Sequence, residues 1–237
     1  MHRAKKRNMI GTIVNTCAII AGTIAGTILN RGIKEKYKTA LYNALGLASL
    51  MIGLNAAISN MPKSKFPVLF ILSLAIGSVV GTAADIDGRF RRAVERRSKT
   101  NNGRNLADGL STAILLYCIG PLSMLGPVIS ALNGDNTFLY TNATLDFVSS
   151  TIFASTYGIG MILAAPVLFC WQGLFYLVAE VSSSAVSEAL MAELLIVGGL
   201  MITGSGLSLL NIKDCKTLNL LPSLLVPVAW FAVKALF

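Results

Sequence analysis

MIGTIVNTCAIIAGTIAGTIL, residues 9–29, runs for 21 positions without a charge. A helix needs about 20 apolar residues to cross the hydrocarbon core of a bilayer. FPVLFILSLAIGSVVGTAA (66–84) and LLPSLLVPVAWFAVKALF (220–237) are of the same kind. Only 13% of the chain is charged and 54% is hydrophobic, against about 25% charged in a soluble domain. Strict apolar/polar alternation is absent, which sets aside a β-barrel. The reading is all-α: a polytopic transmembrane helix bundle of seven or eight spans. The basic start MHRAKKRN has the outline of a signal peptide, but the run after it is as long as a full span and reads as a retained helix. Residues 1–8 form a basic tail and 9–237 a single transmembrane domain.

Eight apolar segments are expected, at 9–29, 39–58, 66–84, 109–132, 144–163, 166–181, 189–210 and 219–237. The stretch 144–181 reads either as two spans broken at Pro166 or as one bent span plus an interfacial helix. Basic residues favour the cytoplasmic loops. With eight spans and the N-terminus outside, 13 basic residues fall inside and 6 outside; with seven spans the division is 11 against 8. The basic tail runs against either version. The net charge of +9 lies mostly between the apolar runs, with its densest cluster in RFRRAVERRSK (89–99), as orientation and anionic lipid heads predict. Nucleic acid is therefore not an expected partner; membrane lipids are.

LASLMIGL (47–54) and VGGLMITG (197–204) share LMI at an offset of 150. Each is followed by a short lysine-bearing loop and a Pro-containing apolar run. The echo is short, and chance similarity explains it as readily as an inverted repeat of three helices, 9–84 and 166–237, of the kind transporters use. Gly22/Gly26 and Gly77/Gly81 are small-xxx-small pairs that let helices approach closely in lipid. They are read as packing residues, and a homodimer seam through Gly22/Gly26 would use the same geometry.

LDFVSSTIFASTYGIG (145–160) places a carboxylate at the head of an apolar segment. At helical spacing Asp146 shares a face with Ser149, Ser150, Phe153, Tyr157 and Gly160. Only a few residues into its expected span, it reads either as a helix-dipole carboxylate at the water boundary or as a pathway group, since an ionised acid at a helix centre costs about 2.5–3.5 kcal/mol and faces protein or water. CIGPLSMLGP (118–127) holds two Gly-Pro pairs, Gly120–Pro121 and Gly126–Pro127. Proline removes a backbone donor, so a discontinuous helix is expected, with freed carbonyls tolerated only against protein or a cavity. Asn15 lies well inside the first span beside Thr12, Thr16, Thr23 and Thr27, as a cross-helix bond or a cavity-lining group. Glu188 and Glu193 fall early in the seventh segment, and Glu193 is the deeper. Asp85, Asp87 and Asp108 read as interface residues.

Lys234 is the single basic residue inside an apolar run and lies near enough to its end to snorkel. The acids thus lack a basic partner, and the interior leans toward cations or protons. Cys17, Cys118, Cys170 and Cys215 are scattered and His2 is terminal, so no metal site or cofactor is expected. No Walker A, H-E-x-x-H or G-x-S-x-G motif is present, and the chain is not expected to be an enzyme.

GTIVNTCAIIAGTIAGTIL with its basic loop and ALGLASLMIGL, the DIDGR after segment three, and CIGPLSMLGP, LDFVSSTIFASTYGIG and PVLFCWQG together resemble the YqgA/YdfK-like bacterial inner-membrane family, a domain of unknown function. The resemblance covers residues 9–237. It implies a bacterial inner-membrane location, a transporter or channel without an established substrate, and that GTIVN, the Gly-Pro segment and LDFVSS are family features. The expected function is a membrane transport protein, channel or carrier, for a small cation or proton-coupled solute. Its pathway would include Asn15, Gly120, Pro121, Gly126, Pro127, Asp146, Ser149, Ser150 and Glu193. The alternative is a non-transporting membrane scaffold or lipid-interacting sensor.

Overall fold

The computed structural model describes residues 9–29, 34–90, 92, 106–184 and 186–234; the basic tail at 1–8 and most of the 89–99 cluster lie outside these. The fold is all-helical, with no strand among the described residues. Five segments are long and apolar enough to cross a membrane: Ile10–Leu29, Glu35–Lys63, Ile159–Val181, Glu188–Leu209 and Thr217–Lys234. Leu69–Ala83 is a shorter apolar helix. The chain divides into two compact units: residues 1–41 with 93–183, and residues 42–92 with 184–237.

The first unit holds α1 (Ile10–Leu29), α4 (Leu106–Ile119), α5 (Pro121–Asn133), α6 (Thr137–Tyr157) and α7 (Ala164–Val181). The expected 109–132 segment is two half-helices. Pro121 has no N–H, and the residue before a proline is driven to extended backbone; Gly120 accordingly sits at φ −67°, ψ 149° and ends α4. At about 1.5 Å per residue neither half crosses a bilayer alone. The second Gly-Pro pair behaves differently, because α5 runs straight through Pro127. Gly126 there makes room for Leu139 of α6.

The expected break at Pro166 lies instead at Gly158, whose φ of 83° and ψ of −170° suit glycine alone. Pro166 is the third residue of α7, in the first turn where its missing N–H costs no helical bond. α6 also starts earlier than expected. The Asp135 carboxylate accepts from the backbone N–H and the hydroxyl of Thr137, at 2.9 and 2.7 Å, and nucleates the helix there. Ile19 of α1, Ala113 and Cys118 of α4, Ala154 of α6, and Met161, Ala164, Ala165 and Leu168 form the core of the unit.

The second unit holds α2 (Glu35–Asn60) from Tyr42 onward, α3 (Leu69–Ala83), α8 (Glu188–Leu209), a 3₁₀ segment (Thr217–Leu224) and α9 (Leu225–Lys234). Lipid offers helices no hydrophobic driving force, so contact depends on small residues. Gly46 and Gly53 of α2 lie backbone to backbone against Gly206 and Gly199 of α8, so the two helices run antiparallel. Gly77 and Gly81 of α3 lie in the same way against Ser223 and Asn219.

Lys234 does not project freely: its ammonium lies over the Phe66 ring, 4.8 Å from the centroid, and Trp230 meets Phe66 edge-on at 5.6 Å.

Two substitutions test this packing. A leucine at Gly53 would drive into the Gly199 carbonyl and Thr203, and Gly53→Leu is expected to cost about 1–3 kcal/mol as overpacking. Gly158→Ala meets no atom within 4 Å and is expected to destabilise by about 1–3 kcal/mol through backbone strain alone. Thermal unfolding in detergent reads both.

Candidate functional site

α1 and α6 run parallel along a tight seam. Gly11 lies against Asn136 and Leu139, Gly22 against Phe147 and Ser150, and Gly26 against Thr151. This register places Asn15 level with residues 142–146 of α6. Asp146 is the tenth residue of the 21-residue α6 and is buried. It is therefore not the N-terminal dipole carboxylate that its expected place in the span allowed. Asn142, one turn earlier, donates its amide to Asp146 Oδ2 at 2.9 Å. Asn15 lies close enough to interact with the same carboxyl, yet neither polar atom of its amide completes a hydrogen bond. Cys118, in the last turn of α4, is within electrostatic reach of Asp146, so the helix break lies beside it.

The threonines of α1 divide by face. Partly exposed Thr16 and Thr27 return their hydroxyls to the carbonyls of Thr12 and Thr23, at 2.9 and 2.8 Å. Thr12 and Thr23, fully buried, make no such bond, and their hydroxyls have no partner. The buried face of α1 therefore carries four unsatisfied polar atoms, two of them on Asn15. Each buried orphan costs about 1–3 kcal/mol, and a polar guest removes that cost.

Gly120 and Pro121 form the break beside this cluster. Just past it, Ser123 accepts from Gln172 Nε2 of α7 at 3.2 Å, while Gln172 Oε1, fully buried, has no partner. Gly126 and Pro127 are buried in the helical body of α5. Ser150 is buried and gives its proton to the Phe147 carbonyl at 3.0 Å, so its oxygen can only accept. Ser149 is half-buried. Gly22 and Gly26 are occupied within the chain, against α6, so a dimer through them would have to open that packing.

Glu193 belongs to the second unit. It is the sixth residue of α8 and fully buried. Its Oε1 accepts from the Ser64 hydroxyl at 2.5 Å, while Ser64 Oγ accepts from the Phe66 N–H at 3.0 Å. Glu193 Oε2 has no partner. Asp85, outside the helices, is exposed and paired with Arg92 at 2.5 Å; that hydrogen bond holds its carboxyl below the usual carboxylate range. Asp87 is buried in the helical stretch 86–90 and its N–H donates to Asn219 Oδ1 at 2.8 Å, and the side chain of Asp108 lies outside the described residues. Among the described residues no three His, Cys, Asp or Glu side chains come together as a metal site.

Asn142 and Gln172 were not singled out by the sequence. Asn142 had a usable signal in its position four residues before Asp146. Gln172 had none, because its partner lies 49 residues away.

A groove of about 430 Å³ lies between α1 and the Gly158–α7 segment, lined by Thr16, Ile20, Ile162, Leu163, Pro166 and Phe169 among others. Its lining is apolar and includes none of the residues of the polar cluster.

Residues 10–232 match the family model described as a protein of unknown function, DUF554. The chain is 52% identical over 228 residues to the uncharacterized membrane protein YdfK of Bacillus subtilis (strain 168), covering 96% of this chain and 98% of the relative. It is 25% identical over 241 residues to the uncharacterized protein YqgA of Escherichia coli (strain K12), covering 94% and 100%. No solved structure matches. A helical membrane protein whose match runs almost from end to end, this chain belongs to the DUF554 family.

Proposed function

We propose that the protein is a transport protein, channel or carrier, for a small cation or proton-coupled solute, with its pathway through the polar core of the first unit. One observation carries the reading. Asn15, Thr12 and Thr23 present unsatisfied polar atoms on the buried face of α1, and Asn15 faces Asp146 in the middle of α6. Uncompensated polar groups at membrane depth mark ion and proton routes, and a broken helix beside them is the form in which transporters expose carbonyls to ions. The second unit holds its own buried carboxylate, Glu193, whose Oε2 has no partner.

The membrane is taken to be the bacterial cytoplasmic membrane. The partners are its lipids and a small cation or proton, with a homodimer as the candidate assembly and no nucleic acid or catalytic step. In the competing reading, a membrane scaffold or lipid-interacting sensor, the interior polar groups would satisfy one another. The unbonded buried hydroxyls of Thr12 and Thr23 weigh against it.

Purified protein in liposomes is expected to pass ions or protons down an imposed gradient, read with an ion- or pH-sensitive dye. Asp146→Asn is expected to lower that flux by about tenfold or more, while Glu188→Gln, exposed at the start of α8, leaves it unchanged. Equal flux in wild type and Asp146→Asn would remove Asp146 from the mechanism, and wild-type vesicles as tight as empty ones would favour the scaffold.

A further inference from the structure

The proposed function leaves open what the Asp146 cluster holds. Charge narrows the choice first. Asp146 is a lone carboxylate there; the polar groups that meet it, Asn15 and Asn142, are neutral. A divalent cation held by one carboxylate would leave a net charge buried at membrane depth, and hard divalent ions ordinarily recruit several carboxylates. An anion would meet the carboxylate directly. One positive charge balances the site.

The oxygens narrow it further. Asn142 spends an amide proton on Asp146 Oδ2, a bond that favours the carboxylate form. The Asn15 oxygen meets no donor, so it can ligate a guest while the amide nitrogen stays beside Asp146. Thr12 lies one turn before Asn15 on the same buried face, with its hydroxyl free. α4 ends at Ile119, with Cys118 of its last turn in reach of Asp146. The last carbonyls of a helix lack helical donors and form the negative end of its dipole. A carboxylate beside that end is repelled by it unless a cation lies between them. A proton would neutralise Asp146 but leave the carbonyl end of α4 and the Asn15 oxygen unmet.

Resting on the transport reading, we propose that the first unit binds one monovalent metal cation of the sodium or potassium class between α1, the end of α4 and the middle of α6. Asp146 is its one charged ligand and Asn15 a neutral oxygen ligand. The α4 break supplies the carbonyl side, as half-helix ends do for sodium in known transporter architectures.

The test is equilibrium binding by the full chain in detergent, without flux. Thermal unfolding is followed at fixed pH and ionic strength while choline chloride is replaced by lithium, sodium or potassium chloride, and separately by calcium or magnesium chloride. A parallel series varies pH in choline alone. A saturable rise in Tm with sodium or potassium is expected, lost in Asp146→Asn, shifted to about tenfold higher concentration in Asn15→Ala, and kept in Glu188→Gln. Should Asp146→Asn fail to fold, the wild-type ion series and Asn15→Ala decide. Stabilisation by acid alone, by divalent ions alone, or by no ion would overturn the proposal. Proton flux in liposomes without any cation-dependent Tm shift sinks this inference and leaves the transport reading standing. Saturable sodium binding with tight vesicles does the reverse.

Discussion

The close approach of α1 to α6 is the constraint on which the site depends. Gly22 and Gly26 have no side chains to hold the helices apart; a methyl on either would collide with α6 backbone. In lipid this contact is not driven by exclusion of water, since the acyl chains are as apolar as the side chains they replace. Dispersion along the glycine seam must do that work. Once the seam closes, its parallel register carries Asn15 to the level of Asp146, and Thr12 and Thr23 are turned inward with it. The polar cluster is thus a consequence of backbone packing, and the same seam excludes lipid from it.

Backbone breaks supply the second ingredient. Gly120–Pro121 ends one half-helix and starts the next beside the carboxylate, with Cys118 on one side and Ser123 on the other. Gln172 reaches Ser123 from α7 and keeps an unpaired oxygen. The second Gly-Pro pair shows that the dipeptide alone does not dictate a break. At residue 120 the backbone before proline is extended; at 126 it stays helical, and Leu139 of α6 packs onto the gap left by Gly126.

Much of this was legible in the sequence. The apolar runs gave the membrane and the helical class, and the Gly-xxx-Gly pairs gave the seams at Gly22/Gly26 and Gly77/Gly81. Asn15 and Asp146 were visible as polar residues in apolar surroundings. Other features were not visible, for physical reasons. The start of α6 was misplaced because TFLYTNA is too polar to read as membrane helix, although the Asp135 contacts start the helix there; that error moved Asp146 from the middle of its helix to its edge. Gly46 and Gly53 are seven residues apart, so no Gly-xxx-Gly pair marks the α2–α8 seam, although Ser49, Gly53 and Ala57 form a small-xxx-small run along it. Asn15 and Asp146 are far apart along the chain, and only the fold reveals that they meet. The family match adds relatives and a membrane setting, while the chemistry of the cluster comes from the geometry.

The central claim is that the orphaned face of α1 encloses a polar guest at Asp146. An experimental structure in lipid nanodiscs, determined in sodium buffer at a resolution that shows ordered waters and ions, tests it most directly. The account predicts non-protein density bridging the Asn15 amide and the Asp146 carboxyl, sealed from lipid by the α1–α6 seam. A dry interface, with Asn15 bonded straight to Asp146 and both buried threonines bonded to their own helix, would contradict it.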